Sequence, residues 1–348
     1  MSTIALRRPD DWHVHLRDGA ALACVARFTA ERFGRAIVMP NLQPPITTTA
    51  AAAAYRERVL AALPAHPRFM PLMTLYLTDG TAPEEIDRAA RAGFVHGVKL
   101  YPAGATTHSD SGVTDIRKTY AVLERMQDRG MPLLVHGETA RPDVDVFDRE
   151  TVFIEEVLAP LLERFAGLKV VLEHITTARA AEFIARARPG VAATITPQHL
   201  LHDRNAIFSG GIRPHYYCLP ILKRERDRRA LVDAATSGNA RYFLGTDSAP
   251  HERSSKESGC GCAGMFTAHA GIELYAEVFE AAGRLDRLEG FASHFGADFY
   301  GLPRHEERIT LARESWVAPP SYEFGNGVVV PYRAGERVAW RLAPAAPA

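Results

Sequence analysis

The sequence predicts an α/β chain folded as one (β/α)8 barrel with a short C-terminal extension. Three observations predict it. Eight short apolar, β-rich runs recur along the 348 residues. Helical segments lie between them. Side chains able to do chemistry fall near the C-terminal ends of several runs. Continuous apolar runs suit strands buried on both faces, as in a parallel sheet. Repeated strand–helix alternation favours a barrel over an open sheet. Length alone suggests two domains at about 150 residues each, but α/β barrels reach about 250 or more as one. The expectation is therefore a single domain over 1–348, with about 304–348 as the extension.

Taken in order, the runs are Asp11–Leu16, Arg35–Asn41, Arg68–Thr78, Val95–Pro102, Pro132–Glu138, Lys169–Thr176, Val191–His199 and Arg241–Ser248. Thr47–Leu63 reads as a helix, opening on threonines that can cap it. Asp115–Arg129 carries Ile116, Tyr120, Leu123 and Met126 near helical spacing and stops at Gly130. Glu150–Phe165 and Thr177–Arg188 behave similarly, and Lys223–Ser237 is a charged amphipathic helix. Its basic start, Lys223 to Arg229, is interrupted by acids and reads as a solvated face. Beyond Arg304, Gly327–Tyr332 reads as one more strand, and the closing APAAPA as a frayed tail.

Composition narrows the class. Apolar residues make up 47% and charged residues 24%, as in a soluble globular protein. Lys plus Arg equals Asp plus Glu at 41 each, so no basic field exists to hold a nucleic acid. Four cysteines (Cys24, Cys218, Cys260, Cys262) build no disulfide scaffold, and none forms a C-x-x-C pair. Met1 to Asp10 holds no leader-type apolar stretch of about 7–15 residues, and no segment approaches the roughly 18 uncharged apolar residues of a membrane span. These features predict a reduced, cytoplasmic protein with no membrane partner. The 14 histidines are the one number that raises a chemical question.

His13-Val14-His15 is the strongest local signal, since strand residues two apart share a face and both imidazoles can reach one ion. Lys99, His136, His174 and Asp247 each stand near the end of another run, where barrel side chains converge on the active-site mouth. Singly, each has a plain explanation as a core histidine, a snorkelling lysine or a capping aspartate. Five strand ends sharing one rim point to a site. Imidazoles and a carboxylate suit a borderline divalent ion such as zinc. Lys99 is the outlier: an ammonium beside metal cations is repelled, so it must be neutral or modified.

Arg17 leaves the same strand end as His15 and can grip a carboxylate with two prongs. Asn41 and His251 add further donors. Gly259–Gly264 matches G-x-G-x-x-G formally, yet it does not directly follow a strand and lacks the acidic residue about twenty positions on, so it is no dinucleotide site. It reads as a loop whose backbone N–H groups can face an anion. Pro102–Gly112 is small and polar. It reads as a surface loop or, more sharply, as a lid with Thr106 and Thr107 as hydroxyl donors.

With these residues assembled, the chain resembles the dihydroorotases of the amidohydrolase superfamily, in their short, homodimeric bacterial form. The motifs that carry the resemblance are HVHLRD at 13–18, MPN at 39–41, KLYP at 99–102, VHGE at 135–138, EHITT at 173–177, YCLP at 217–220 and GTDSAPH at 245–251. They span about Leu6 to Leu302. The resemblance implies two zinc ions per subunit and reversible cyclisation of N-carbamoyl-L-aspartate to (S)-dihydroorotate in pyrimidine synthesis. It implies that one zinc takes His13, His15, Lys99 and Asp247, and the second takes Lys99, His136 and His174. Lys99 is then carbamylated (N6-carboxylysine) and bridges the two. Such a pair generates a hydroxide at neutral pH and polarises a carbonyl. Asp247 doubles as acid/base. The substrate meets His15, Arg17, Asn41, His136, Leu219, His251 and Ala263, with Thr106 and Thr107 on the lid.

Other cyclic amidases of the superfamily, of hydantoinase or allantoinase type, share those ligands, so the metal residues do not separate them. Arg17, Asn41 and His251 do, because they match a carboxylate-bearing substrate. A non-catalytic binding relative would lose metal ligands, and here all six positions are filled.

Overall fold

The computed structural model describes residues 2–66 and 68–344. Eight parallel strands form one sheet in sequential order: β2 (Asp11–Val14), β3 (Arg35–Val38), β4 (Met70–Tyr76), β5 (Val95–Leu100), β6 (Leu133–His136), β7 (Val170–Glu173), β8 (Val191–Ile195) and β9 (Tyr242–Leu244). They are preceded by β1 (Thr3–Arg7). The barrel closes where Val14 bridges Ser248, with Asp247 N donating to His13 O at 2.8 Å and His15 N to Ser248 O at 3.0 Å. All eight predicted runs contain one of these strands. Among the described residues, no helix is long and apolar enough to cross a membrane.

The interior follows the two-residue period of a strand. Its lowest layer holds Trp12, Ile37, Leu72, Leu134, Val171, Ala192 and Phe243, all essentially inaccessible. Gly97 completes it on β5, where a Cβ would sit 2.8 Å from Leu134. The helix Phe295–Tyr300 plugs this end, with Tyr300 stacked on Trp12 at 4.6 Å. Only the C-terminal mouth remains for chemistry. Two residues further along, the same inward parity delivers Lys99, His136 and Glu173. On β2 the register shifts between Asp11 and Val14. That irregularity turns His13 inward directly after Trp12, while Val14 joins the outer shell with Leu22 and Ala26.

The predicted helices appear with trimmed ends. Thr49–Ala61 is capped by Thr48, Ala178–Arg186 by Thr177, and Tyr120–Arg129 ends on Gly130 at φ 64°. Arg149–Arg164 forms one run with a π turn at Ile154–Leu158, and Glu225–Thr236 lies inside its predicted range. Three further helices, Gly19–Arg32, Pro83–Ala92 and Gly271–Ala281, complete the outer layer.

The C-terminal segment is woven into the body. Strand β10 (Arg308–Ala312) pairs antiparallel with β1, and Trp340 and Val338 are fully buried. Within the predicted Gly327–Tyr332, the strand covers Gly327–Val329 in a hairpin with Tyr322–Phe324. The predicted frayed tail lies mostly outside the described residues, from 345 on.

Candidate metal centre

Each group singled out in the sequence lies at the C-terminal mouth. His13, His15, Arg17, Asn41, Thr106, Thr107, His136, His174, Leu219, Asp247, His251 and Ala263 all line one enclosed cavity, together with Tyr101. Lys99 stands just beneath, wholly buried.

The tightest cluster is a triangle of ligand atoms. His13 Nε2 and His15 Nε2 are 3.4 Å apart, and Asp247 Oδ1 is 3.3 Å from the first and 3.2 Å from the second. His15 Nδ1 donates to Asn41 Oδ1 at 2.8 Å, which leaves its Nε2 lone pair facing the triangle. Metal–ligand bonds of about 2.1 Å in a tetrahedron separate ligand atoms by about 3.4 Å. The donor set and its spacing therefore fit a divalent ion.

A second set surrounds Glu173. Its Oε1 lies 3.0 Å from His13 Nδ1, and its Oε2 accepts from Lys99 Nζ. His13, Glu173 and His174 bring ligand atoms within 4.8 Å of one another. The His174 ring centroid is 4.9 Å from those of both His13 and His136, and its buried Nδ1 has no hydrogen-bond partner among the described residues. His136 turns its Nε2 to Glu138 Oε2, 3.1 Å away. Here the predicted ligands His136, His174 and Lys99 share a chamber without meeting at one point.

Sequence reasoning missed Glu173. Parity could have found it, because Val171 faces the barrel interior and so must Glu173. His174 reaches the chamber only by adopting φ 43°. Arg17 (φ 60°) and Asp247 (φ 44°) take the same left-handed conformation. A non-glycine residue pays for that conformation, and three such residues at one mouth mark a place where geometry is held against local preference.

Burial and charge set the protonation states. Burial raises the Asp247 carboxyl, but hydrogen bonds from His13 and His15 outweigh it and hold it well below the usual range. Burial pulls the Lys99 ammonium down, against the opposing pull of Glu173. Burial, reinforced by Arg17 and Lys256, pushes His251 down to about 2, so its imidazole is neutral. Arg17 is lowered to about 10 by burial and stays charged at neutral pH. Its Nε donates to Pro250 O at 2.7 Å, and its Nη2 lies 3.0 Å from His251 Nε2.

Thr106 and Thr107, expected on a lid, line this chamber. Asn41 Nδ2 donates to Thr107 O at 3.4 Å, and Ser109 Oγ accepts from Thr106 N at 2.9 Å. The Gly259–Gly264 loop brings Ala263 to the cavity wall. A larger groove outside the barrel, about 820 Å³, runs behind the stem of the lid. Its arginines pair with its own acids, Arg117 with Asp115 and Arg141 with Glu156.

A model of the amidohydrolase family matches residues 10–311. The chain is similar to a dihydroorotase of Aromatoleum aromaticum, at 66% identity over 98% of this chain and 100% of that one. It superposes on the crystal structure of a Saccharomyces cerevisiae dihydroorotase in complex with 5-fluoroorotic acid, with a TM-score of 0.90. That match has 33% identity and covers 99% and 100% of the two chains. An L-hydantoinase of Arthrobacter aurescens superposes with a TM-score of 0.82 at 18% identity, covering 98% and 83%, and shares the fold.

Proposed function

Since this chain belongs to the dihydroorotases of the amidohydrolase family, we propose that its mouth cluster holds two zinc ions and interconverts N-carbamoyl-L-aspartate and (S)-dihydroorotate with the residues that line it. The enzyme is a hydrolase of a cyclic amide bond in pyrimidine biosynthesis. The single observation that carries the metal reading is the triangle of His13, His15 and Asp247 ligand atoms at 3.2–3.4 Å.

His13, His15 and Asp247 would hold one ion, and His136 and His174 the other, with Lys99 between them. Bound there, divalent ions lower the pKa of water and polarise the amide carbonyl. Carbamylated, Lys99 would offer these ions a carboxylate in place of a repelled ammonium. Burial favours its neutral amine, the form that adds carbon dioxide.

The chain's own residues supply the rest. Asp247, kept ionised, takes a proton from the attacking water and returns it to the ring nitrogen as the C–N bond opens. Arg17 carries the charge that meets the ring carboxylate, with Asn41 and neutral His251 as polar neighbours. His15 and His136 border the reacting carbonyl. Leu219 and Ala263 hold the ring edge through their backbones. Thr106 and Thr107 close the chamber and exclude water.

The wider reading is a single domain, with β1 and Trp340 tying the C-terminal segment to the barrel. It works as a homodimer in the cytoplasm. The dimer rests on the resemblance alone, and the four free thiols support the location. The test of function is turnover of both proposed substrates beside a carboxylate-free ring amide. The proposal expects the carboxylate-bearing pair to be strongly preferred and a chelator to abolish turnover. Preference for the carboxylate-free ring would overturn it.

A further inference from the structure

Lys256 is a buried cation outside the proposed catalytic set. It ends the short helix Arg253–Lys256 after β9 and is 3% exposed. Its Nζ donates to three backbone carbonyls: Tyr217 O at 2.8 Å, Cys262 O at 2.7 Å and Gly264 O at 2.8 Å. An ammonium has three protons, and all three are used. Among the described residues it has no carboxylate partner. A buried charge held only by carbonyls costs stability to keep, and such a cost calls for a return elsewhere.

The three carbonyls identify that return. Cys262 and Gly264 flank Ala263 on both sides, and Tyr217 stands two residues before Leu219. Ala263 and Leu219 are the backbone contacts proposed for the substrate, and both line the cavity. The two segments also meet directly, Gly264 N donating to Tyr217 O at 3.1 Å. The conformation being held is not a relaxed one. Cys262 sits at φ 25°, and Gly264 at φ 147° would place a Cβ 2.4 Å from Ala249 O. Ala263 O in turn lies 3.1 Å from His251 Nε2, which touches Arg17. One ammonium thus ties the 217–219 segment, the glycine-rich loop and the carboxylate corner into a single wall.

We propose that Lys256 is a positioning residue for substrate binding: it clamps the backbones on either side of Ala263 and ahead of Leu219 into the shape that receives the anionic ring. This deepens the substrate reading above and rests on it. Its Nζ donates only to the carbonyls of Tyr217, Cys262 and Gly264, none of them a proposed metal ligand or the proposed acid/base. Its loss therefore falls on binding and not on the chemical step. Burial lowers its ammonium to about 8, so it remains largely protonated at neutral pH.

The test is Lys256→Met, similar in length with no donors, assayed with dihydroorotate and N-carbamoyl-L-aspartate while metal content is measured. The expected result is a rise in KM of about tenfold or more for both substrates, with kcat within about threefold of wild type and the metals retained. Should Lys256→Met not accumulate as folded protein, Lys256→Arg is assayed. It keeps the charge but cannot aim three donors at three converging carbonyls, so a smaller rise in KM is expected. Wild-type KM in the folded variant overturns the proposal, as does a fall in kcat at unchanged KM. A lower melting temperature with unchanged kinetics overturns it too, because it shows a merely structural lysine. Wild-type turnover of dihydroorotate tests the substrate reading separately, so the two failures are distinguishable.

Discussion

Replacing Arg17 by methionine removes the charge proposed to read the substrate's carboxylate while sparing every metal ligand. The guanidinium is half-buried and carries its charge at neutral pH, lowered by desolvation only to about 10. It is already oriented, with Nε on Pro250 O at 2.7 Å and Nη2 3.0 Å from His251. A charge-assisted hydrogen bond to a carboxylate is worth about 1.5–3 kcal/mol. That corresponds to about a ten- to 150-fold loss in kcat/KM. The internal cost is smaller. The bond to Pro250 O and the contact with His251 are both lost, about 1–2 kcal/mol together, and relief of a half-buried cation offsets part of it, so the melting temperature should move by no more than about 4 °C. The assay is kcat/KM for dihydroorotate and N-carbamoyl-L-aspartate, with metal content alongside and a carboxylate-free ring amide as control. An unimpaired variant would show that Arg17 does not read the carboxylate. So would an equal loss on the carboxylate-free ring, because Arg17 would then serve the fold of the mouth and not the substrate's charge.

Three other outcomes follow from the same structure. Lys99→Ala should lose activity by orders of magnitude and release metal, with partial rescue by a short carboxylic acid added with zinc; unchanged metal content and turnover would show that Lys99 is no ligand. Gly296→Ala should destabilise the fold by about 1–3 kcal/mol in denaturant titration, because the new Cβ would meet the Trp12 indole at 2.0 Å under the barrel floor; wild-type stability would show that the plug is loose. Asp79 accepts from Thr114 and Lys118 and is lowered from 3.8 to about 2, chiefly by the Lys118 and Thr114 hydrogen bonds. A depressed acid stabilises the fold above its unfolded pKa and loses that effect as pH falls through its folded one. The stability gap between wild type and Asp79→Asn should therefore be full at about pH 6 and narrower at about pH 3, and a gap independent of pH would contradict the assignment.

Much of this was legible in the sequence because a parallel barrel imposes strict rules. Its strands are buried on both faces, so each appears as an apolar run, and its chemistry sits where those runs end. That logic located His13, Lys99, His136 and Asp247. It failed where backbone geometry departs from the two-residue period. His174 is out of phase with Val171 and Glu173 and enters the chamber through a left-handed turn, so an eye drawn to histidine passed over the in-phase glutamate. Lys256 was invisible for another reason. Its partners are backbone carbonyls of residues 217, 262 and 264, and no spacing rule links a lysine to main-chain oxygens brought together by loop geometry. The helix Gly19–Arg32 was missed because it opens on glycine and is buried among other elements, which blurs its helical period. Pro83–Ala92 did carry its signals, proline at the start, Glu84 and Glu85 in the first turn and Gly93 at φ 73° after the end.

A metal titration shows whether the mouth holds the two ions proposed for it. Protein stripped of metal is titrated with zinc in the presence of bicarbonate while the opening of dihydroorotate is followed. A two-ion centre gives no turnover without metal and activity that rises to a break at about two ions per chain. Full activity in the stripped protein, or a break at one ion with no rise beyond it, would rule that centre out.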